Sequence, residues 1–184
     1  MSQRRDAERA DAPRPFANED HFRRREPAAS AATRQHLVFR IGTEDYGLDI
    51  RSLREIIRPR PPTEVPNAPS FVLGVVAVRG VVMPLIDLGA RLRIGPVRST
   101  PQTRSLVVEV DHELYALAVD EVAFVARIAE QKVEPPPVAI GGLGGDFVRG
   151  ISRSGEQMII LLDIEALLRF EVPRARPRTP RVAP

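Results

Sequence analysis

The chain has 184 residues, 43% of them hydrophobic, which suits one domain or two small ones sharing a core. It has no cysteine, which excludes a disulfide framework, a thiolate nucleophile and thiolate-held metal. No apolar run approaches the ~18 residues that cross a bilayer, and the arginine-bearing N-terminus lacks the apolar stretch of a secretory signal, so a soluble cytoplasmic protein is expected.

The formal charge of +3 belongs to the ends of the chain. Residues 1–35 carry eight arginines against six carboxylates, and residues 171–184 carry four arginines against Glu171. Residues 36–170 then hold 15 basic and 17 acidic groups, a slightly acidic middle. Residues 1–35 have almost no apolar side chains beyond Phe16 and Phe22, too few to offset chain entropy, and are expected to be disordered. The cluster Arg23-Arg24-Arg25 could touch a polyanion, although a solvated tail from an arginine-rich composition explains it as well, the chain having a single lysine.

Residues 36–41 read as a strand buried along much of its length, turned by Gly42-Thr43-Glu44-Asp45 into a second strand over 46–49. The spacing Ile50, Leu53, Ile56, Ile57 predicts a short amphipathic helix, ended by Pro59, Pro61 and Pro62. Val65-Pro66-Asn67-Ala68-Pro69 leads into the most apolar stretch, residues 71–92. There, two β-branched runs (75–78 and 81–86) flank Arg79-Gly80 as a hairpin, and Asp87 is placed to cap a short helix. A polar linker over 93–103 precedes a second hairpin, 104–110 and 113–119, around Asp111-His112. Residues 120–128 continue as strand. Pro135-Pro136-Pro137 is expected to be a stiff linker and Gly141-Gly142-Leu143-Gly144-Gly145 a flexible loop. A helix is predicted from Asp163 to about Phe170, followed by a disordered Pro/Arg tail over 171–184.

The central stretch occurs twice. Shifted by 76 residues (71 to 147), Phe147-Val148-Arg149-Gly150-Ile151 falls on Phe71-Val72-Leu73-Gly74-Val75, and Leu161-Leu162-Asp163 falls on Leu85-Ile86-Asp87. Shifted by 69 (37 to 106), Leu106-Val107-Val108 falls on Leu37-Val38-Phe39, and Tyr115 falls on Tyr46. Two matches in the same order imply two structurally alike halves, roughly 36–98 and 104–170. Strands every eight to twelve residues, with helices only at strand ends, point to an all-β chain of small closed barrels, one per repeat, with a groove between them for binding.

Chemistry is hard to find. His21, His36 and His112 fall in a tail, at a strand start and in a turn, so no His-Glu-x-x-His zinc pattern exists. The recurrence of Asp87 and Asp163 is explained by helix capping in each half rather than by a catalytic pair. Gly141 to Gly145 lacks the Lys-Ser/Thr of a phosphate cradle, and no nucleophile elbow appears. A non-enzyme without cofactor or metal is expected. One difference between the repeats is informative: Arg79 lies among Val76, Val78, Val81 and Val82, whereas the second half has a polar Ser152-Arg153-Ser154-Gly155-Glu156-Gln157 turn. A lone arginine in an apolar rim has the composition of a protein-interface hot spot. The alternative is an arginine that caps its own turn or pairs with Glu55.

The order Glu44-Asp45-Tyr46-Gly47-Leu48-Asp49-Ile50, Glu55-Ile56, Pro66-Asn67-Ala68-Pro69, Gly74-Val75-Val76-Ala77-Val78-Arg79-Gly80 and Pro84-Leu85-Ile86-Asp87-Leu88 resembles the CheW family of chemotaxis coupling proteins. Val119-Asp120-Glu121-Val122, Gly150-Ile151 and Ile160-Leu161-Leu162-Asp163 extend the likeness over residues 36–170. The resemblance implies two intertwined five-stranded SH3-like β-barrel subdomains with a few short helices. It implies a scaffold that couples the cytoplasmic tips of transmembrane chemoreceptors to a CheA-type histidine kinase, working in the cytoplasm and reaching the membrane only through the receptors. Carried over by motif, Leu53, Glu55, Arg79, Val81 and Val82 line a receptor-binding groove, and Gly74, Ala116 and Gly150 mark turns facing the kinase. Ala77-Val78 stands where Asn-Leu is common before the Arg-Gly, and Ala116 where Gly is frequent. Alternatives are an adaptor for surface motility or gene regulation, or a polyanion or membrane binder acting through the arginine tails; nucleic acid is not an expected partner.

Overall fold

The computed structural model describes residues 32–136, 145–154 and 157–170. The expected C-terminal tail, residues 1–31 of the expected N-terminal tail, Pro137 and most of the glycine loop lie outside them; Thr33, Arg34 and Gln35, expected to be disordered, instead begin a strand paired with Ala129, Ile128 and Arg127. Among the described residues eleven strands run in order: β1 (Thr33–Ile41), β2 (Glu44–Asp49), β3 (Leu53–Ile57), β4 (Val72–Val78), β5 (Val81–Asp87), β6 (Arg104–Val110), β7 (Glu113–Val119), β8 (Glu121–Ala129), β9 (Val133–Glu134), β10 (Val148–Ser154) and β11 (Gln157–Leu162). Two short helices follow the central hairpins, α1 (Leu88–Arg91) after β5 and α2 (Ile164–Leu168) after β11. The helix expected from Ile50 is a correction: Ile50–Ser52 is one 3-10 turn, capped by the Asp49 side chain, and Leu53 and Glu55 lie on strand β3.

The strands form two sheets, β8-β1-β2-β11-β10-β9 and β3-β6-β7-β5-β4. Neither sheet is made by one repeat, which corrects the expectation of one barrel per half. Hairpin β1–β2 sits between β8 and β11 of the second half, and hairpin β6–β7 sits between β3 and β5 of the first. Each lent hairpin joins its host in the same way, through parallel pairing of β2 with β11 and of β7 with β5. The halves have therefore exchanged their first hairpins.

Both sheets curl back on themselves. In the six-stranded sheet the two end strands, β8 and β9, are joined by only the 3-10 turn Glu130–Lys132. In the five-stranded sheet the segment after β3 reaches β4, where Thr63 and Val75 exchange N–H···O bonds of 2.9 Å and Arg60 Nη1 donates to Ala77 O at 3.1 Å. Under the 76-residue shift Val75 corresponds to Ile151, which pairs with Glu134 of β9, so the two closures are equivalent.

The main core lies between the sheets and is built from repeat mates: Leu37 with Leu106, Phe39 with Val108, Leu48 with Leu117, Ile86 with Leu162 and Leu88 with Ile164. Smaller clusters fill each curled sheet, Val76, Val78, Met83, Leu85, Val107, Ala116 and Ala118 in one and Val38, Ile128, Ile159 and Leu161 in the other. Asp87 and Asp163 are caps as expected, their Oδ1 atoms accepting from Ala90 N at 2.9 Å and Ala166 N at 3.1 Å.

Candidate protein-docking site

The tip of hairpin β4–β5 is a two-residue loop in which Arg79 and Gly80 both have positive φ, 50° and 86°. Such a loop matches the right-handed twist of the flanking strands, and it requires left-handed backbone at both residues. Glycine accepts this freely; an arginine does so at a conformational cost. The Arg79 side chain is 82% exposed, and the successive residues Val81 and Val82 are 47% and 66% exposed.

Beneath the tip is an open cavity of about 280 Å³. Val78, Met83, Val107 and Leu114 give it an apolar wall, and Arg54, Glu55, Arg79 and Glu109 are its charged lining. The charges are paired across strands. Arg79 Nη2 donates to Glu55 Oε2 at 3.0 Å, and Arg54 Nε donates to Glu109 Oε2 at 2.7 Å. The Arg54 bond holds the Glu109 carboxyl below its usual range. The exposed tip thus sets two adjacent valines over a hollow with an apolar wall, with two ion pairs along its lining. Among the described residues no group of three metal-ligating side chains occurs.

The five residues expected to line one groove divide. Glu55, Arg79 and Val81 share the cavity, and Val82 follows on the exposed strand. Leu53 does not join them. A bulge at Arg54, where Leu53 pairs with Val108 and Glu55 already with Val107, turns Leu53 onto the core between the sheets. Its mate Val122 lies there too, set by the same bulge in β8 between Phe39 and Val38. Arg79 is paired with Glu55, as the second sequence reading has it, and is exposed; of the valines expected to rim it, Val81 and Val82 are exposed but Val76 and Val78 are buried in the core. Reading single strands missed Arg54, Met83, Glu109 and Leu114: the pairing of β3 with β6 sets Arg54 beside Glu109, and the pairing of β7 with β6 and β5 brings Leu114 to the hairpin that carries Met83.

A protein-family model described as the CheW-like domain matches residues 35–172. The chain belongs to the CheW-like family. It is 36% identical over 134 residues to a probable chemotaxis protein CheW of Rhizobium etli, covering 73% of this chain and 86% of that one. It is 31% identical to protein FrzA of Myxococcus xanthus, covering 80% and 94% of the two chains. Among solved structures, the scaffolding protein TtCheW from Thermoanaerobacter tengcongensis superposes with a TM-score of 0.70 at 32% identity, over 76% of this chain and 94% of that one.

On this CheW-like frame, Gly74, Ala116 and Gly150 lie in strands β4, β7 and β10 and are all buried. A Cβ on Gly74, at φ 139°, would meet the Thr63 carbonyl that closes the sheet. A Cβ on Gly150 would lie 2.5 Å from Val133 Cγ1 and 2.8 Å from Glu134 O. Both glycines exist so that a closing segment can cross them. Ala116, fully buried, pairs with Leu85 and Val107 inside the five-stranded sheet.

Proposed function

We propose that this CheW-like chain is a non-catalytic chemotaxis adaptor of the cytoplasm, holding the cytoplasmic tip of a transmembrane chemoreceptor and a CheA-type histidine kinase in one complex. The observation that carries the reading is the Arg79 tip: a guanidinium tethered to Glu55, flanked by exposed Val81 and Val82, in a family whose relatives bear the name chemotaxis protein. The receptor contacts Arg79, Val81, Val82 and Glu55, with Leu53 acting from the junction of the two sheets. The kinase meets surfaces that Gly74, Ala116 and Gly150 shape from beneath, through exposed neighbours such as Leu73 and Arg153.

Signal passes by differential binding. A receptor state changes kinase activity only if the complex holds the two receptor states with different free energies. The deciding experiment is reconstitution with a kinase and a receptor fragment, measuring phosphorylation with and without the chain. The expected result is a receptor-dependent change in phosphorylation, retained by a chain trimmed to residues 32–170. Loss of the response on trimming would favour the polyanion reading of the arginine-rich ends, and no response from the full chain would overturn the adaptor reading.

A further inference from the structure

The repeat symmetry is broken at Arg91, which reaches from one half to the other. Under the 76-residue shift the mate of Arg91 is Leu167, which is fully buried. Arg91, the last residue of α1, reaches across to the second half, and its Nε donates to that same Leu167's carbonyl at 2.8 Å. Its guanidinium carbon lies 4.6 Å from the ring centre of Phe71, 4.4 Å from Phe147 and 5.5 Å from Phe170. Phe71 and Phe147 are themselves repeat mates, and Phe71 meets Phe170 edge-on at 5.0 Å. A planar cation among three rings, with a carbonyl at its edge, is held in one orientation by cation–π attraction and hydrogen bonding together. Burial, and after it the charge of Arg93, lower the Arg91 pKa; a guanidinium in a protein stays charged.

Strand β5 connects this cluster with the docking tip. Its first two residues are Val81 and Val82, and its last, Asp87, caps α1. Seven residues of strand span about 20 Å. We propose that Arg91 is a positioning residue: it clasps α2 and the second repeat to α1, fixes the two sheets relative to each other, and carries a load on the Arg79 tip into the second repeat. The signalling part of this proposal rests on the adaptor reading above; the clasp does not.

The lack of cysteines makes the test direct, since spin labels can be placed at Ala77→Cys on β4 and Met158→Cys on β11, both exposed and in different sheets. Pulsed electron resonance then reads the distance between sheets well below the melting temperature. The labelled parent is expected to give one narrow distribution. Arg91→Leu, which installs the side chain of its mate, should broaden or shift it. Arg91→Lys, which keeps the charge without the plane, should do so to a smaller extent and decides the question if the leucine variant does not fold. A distribution that superposes on the parent's in the folded variants overturns the clasp, even if melting is lowered, because lowered melting alone is what a merely structural residue would give. In the reconstituted complex, Arg91→Lys should cut the receptor-dependent change in kinase activity about five-fold or more while the affinity for each partner fragment stays within about two-fold. An unchanged response, or loss of both affinities alongside it, overturns the coupling role. If the parent chain itself gives no kinase response, the adaptor reading fails and the distance measurement still judges the clasp.

Discussion

Arg79 sits where its own backbone would prefer an asparagine or glycine, and that conflict separates function from stability. The left-handed conformation at φ 50° costs about 1–2 kcal/mol for an ordinary side chain. The ion pair with Glu55 returns little, because an arginine 82% exposed is well screened. Arg79→Asn should leave thermal stability unchanged or raised, while weakening binding of a receptor-tip fragment by about 1–3 kcal/mol; calorimetric titration beside a melting curve checks both, and undiminished binding would remove Arg79 from the docking site. The two closure glycines should behave differently from each other. Gly74→Ala meets a backbone carbonyl at positive φ and should cost about 3 kcal/mol or more, whereas Gly150→Ala, with no positive φ and a side-chain methyl as its nearest neighbour, should cost about 1–3 kcal/mol. Urea denaturation of the two variants gives the order.

At the scale of elements, the two aspartate caps look alike in sequence and differ in surroundings. Asp87 is 4% exposed and also accepts from Val97 N with both oxygens at 3.1 Å, tying down the linker after α1. Asp163 is exposed, and among the described residues its one side-chain bond is to Ala166 N. Asp163→Ala should therefore cost about 1 kcal/mol, the usual value of a cap. Asp87→Ala should cost about 2–4 kcal/mol, since the half-buried N–H of Val97 loses its acceptor as well. The caps and their hairpins were legible because capping is local chemistry and the chain states it twice. Strand β3 was not. Ile50 belongs to the 3-10 turn, and the bulge at Arg54 shifts the alternation that follows, so Ile50, Leu53, Ile56 and Ile57 imitate helical spacing. The same kind of bulge in β8 explains why residues 120–128 alternate weakly. Arg79 and Glu55 could be named from the sequence, but their companions Arg54 and Glu109 depend on which strands become neighbours, and no local pattern encodes that choice.

For the whole molecule, the two buried side-chain polar atoms lacking a hydrogen-bond partner among the described residues are His36 Nδ1 and Ser105 Oγ, which are repeat mates. Burial lowers the pKa of His36 below 6.5, outweighing the Arg34 backbone bond and the charges of Asp49 and Glu130 that raise it; Arg149 lowers it further. A histidine whose folded pKa is depressed contributes stability that is complete above 6.5 and lost as pH falls below it. Asp49, held at about 2 by the Arg51 side chain, adds a contribution that is present above 3.8 and lost only as pH falls toward 2. Urea midpoints should accordingly be flat from pH 7 to about 9 and fall from 6.5 downward, and His36→Ser, copying the mate, should remove that first decline. The exchanged hairpins carry the larger consequence. Expressed alone, residues 36–98 would lack the strands that flank β1–β2 and the hairpin that belongs between β3 and β5, and should not fold as a monomer, while residues 36–98 and 104–170 together should restore the parent's circular dichroism. Yet β1–β2 is shaped like the missing β6–β7, so two copies of one half could lend hairpins to each other and complete both sheets around a true two-fold axis. The present chain has the layout such a self-complementary dimer would acquire once its gene was doubled in tandem, free thereafter to place an arginine on one side of the axis and a leucine on the other.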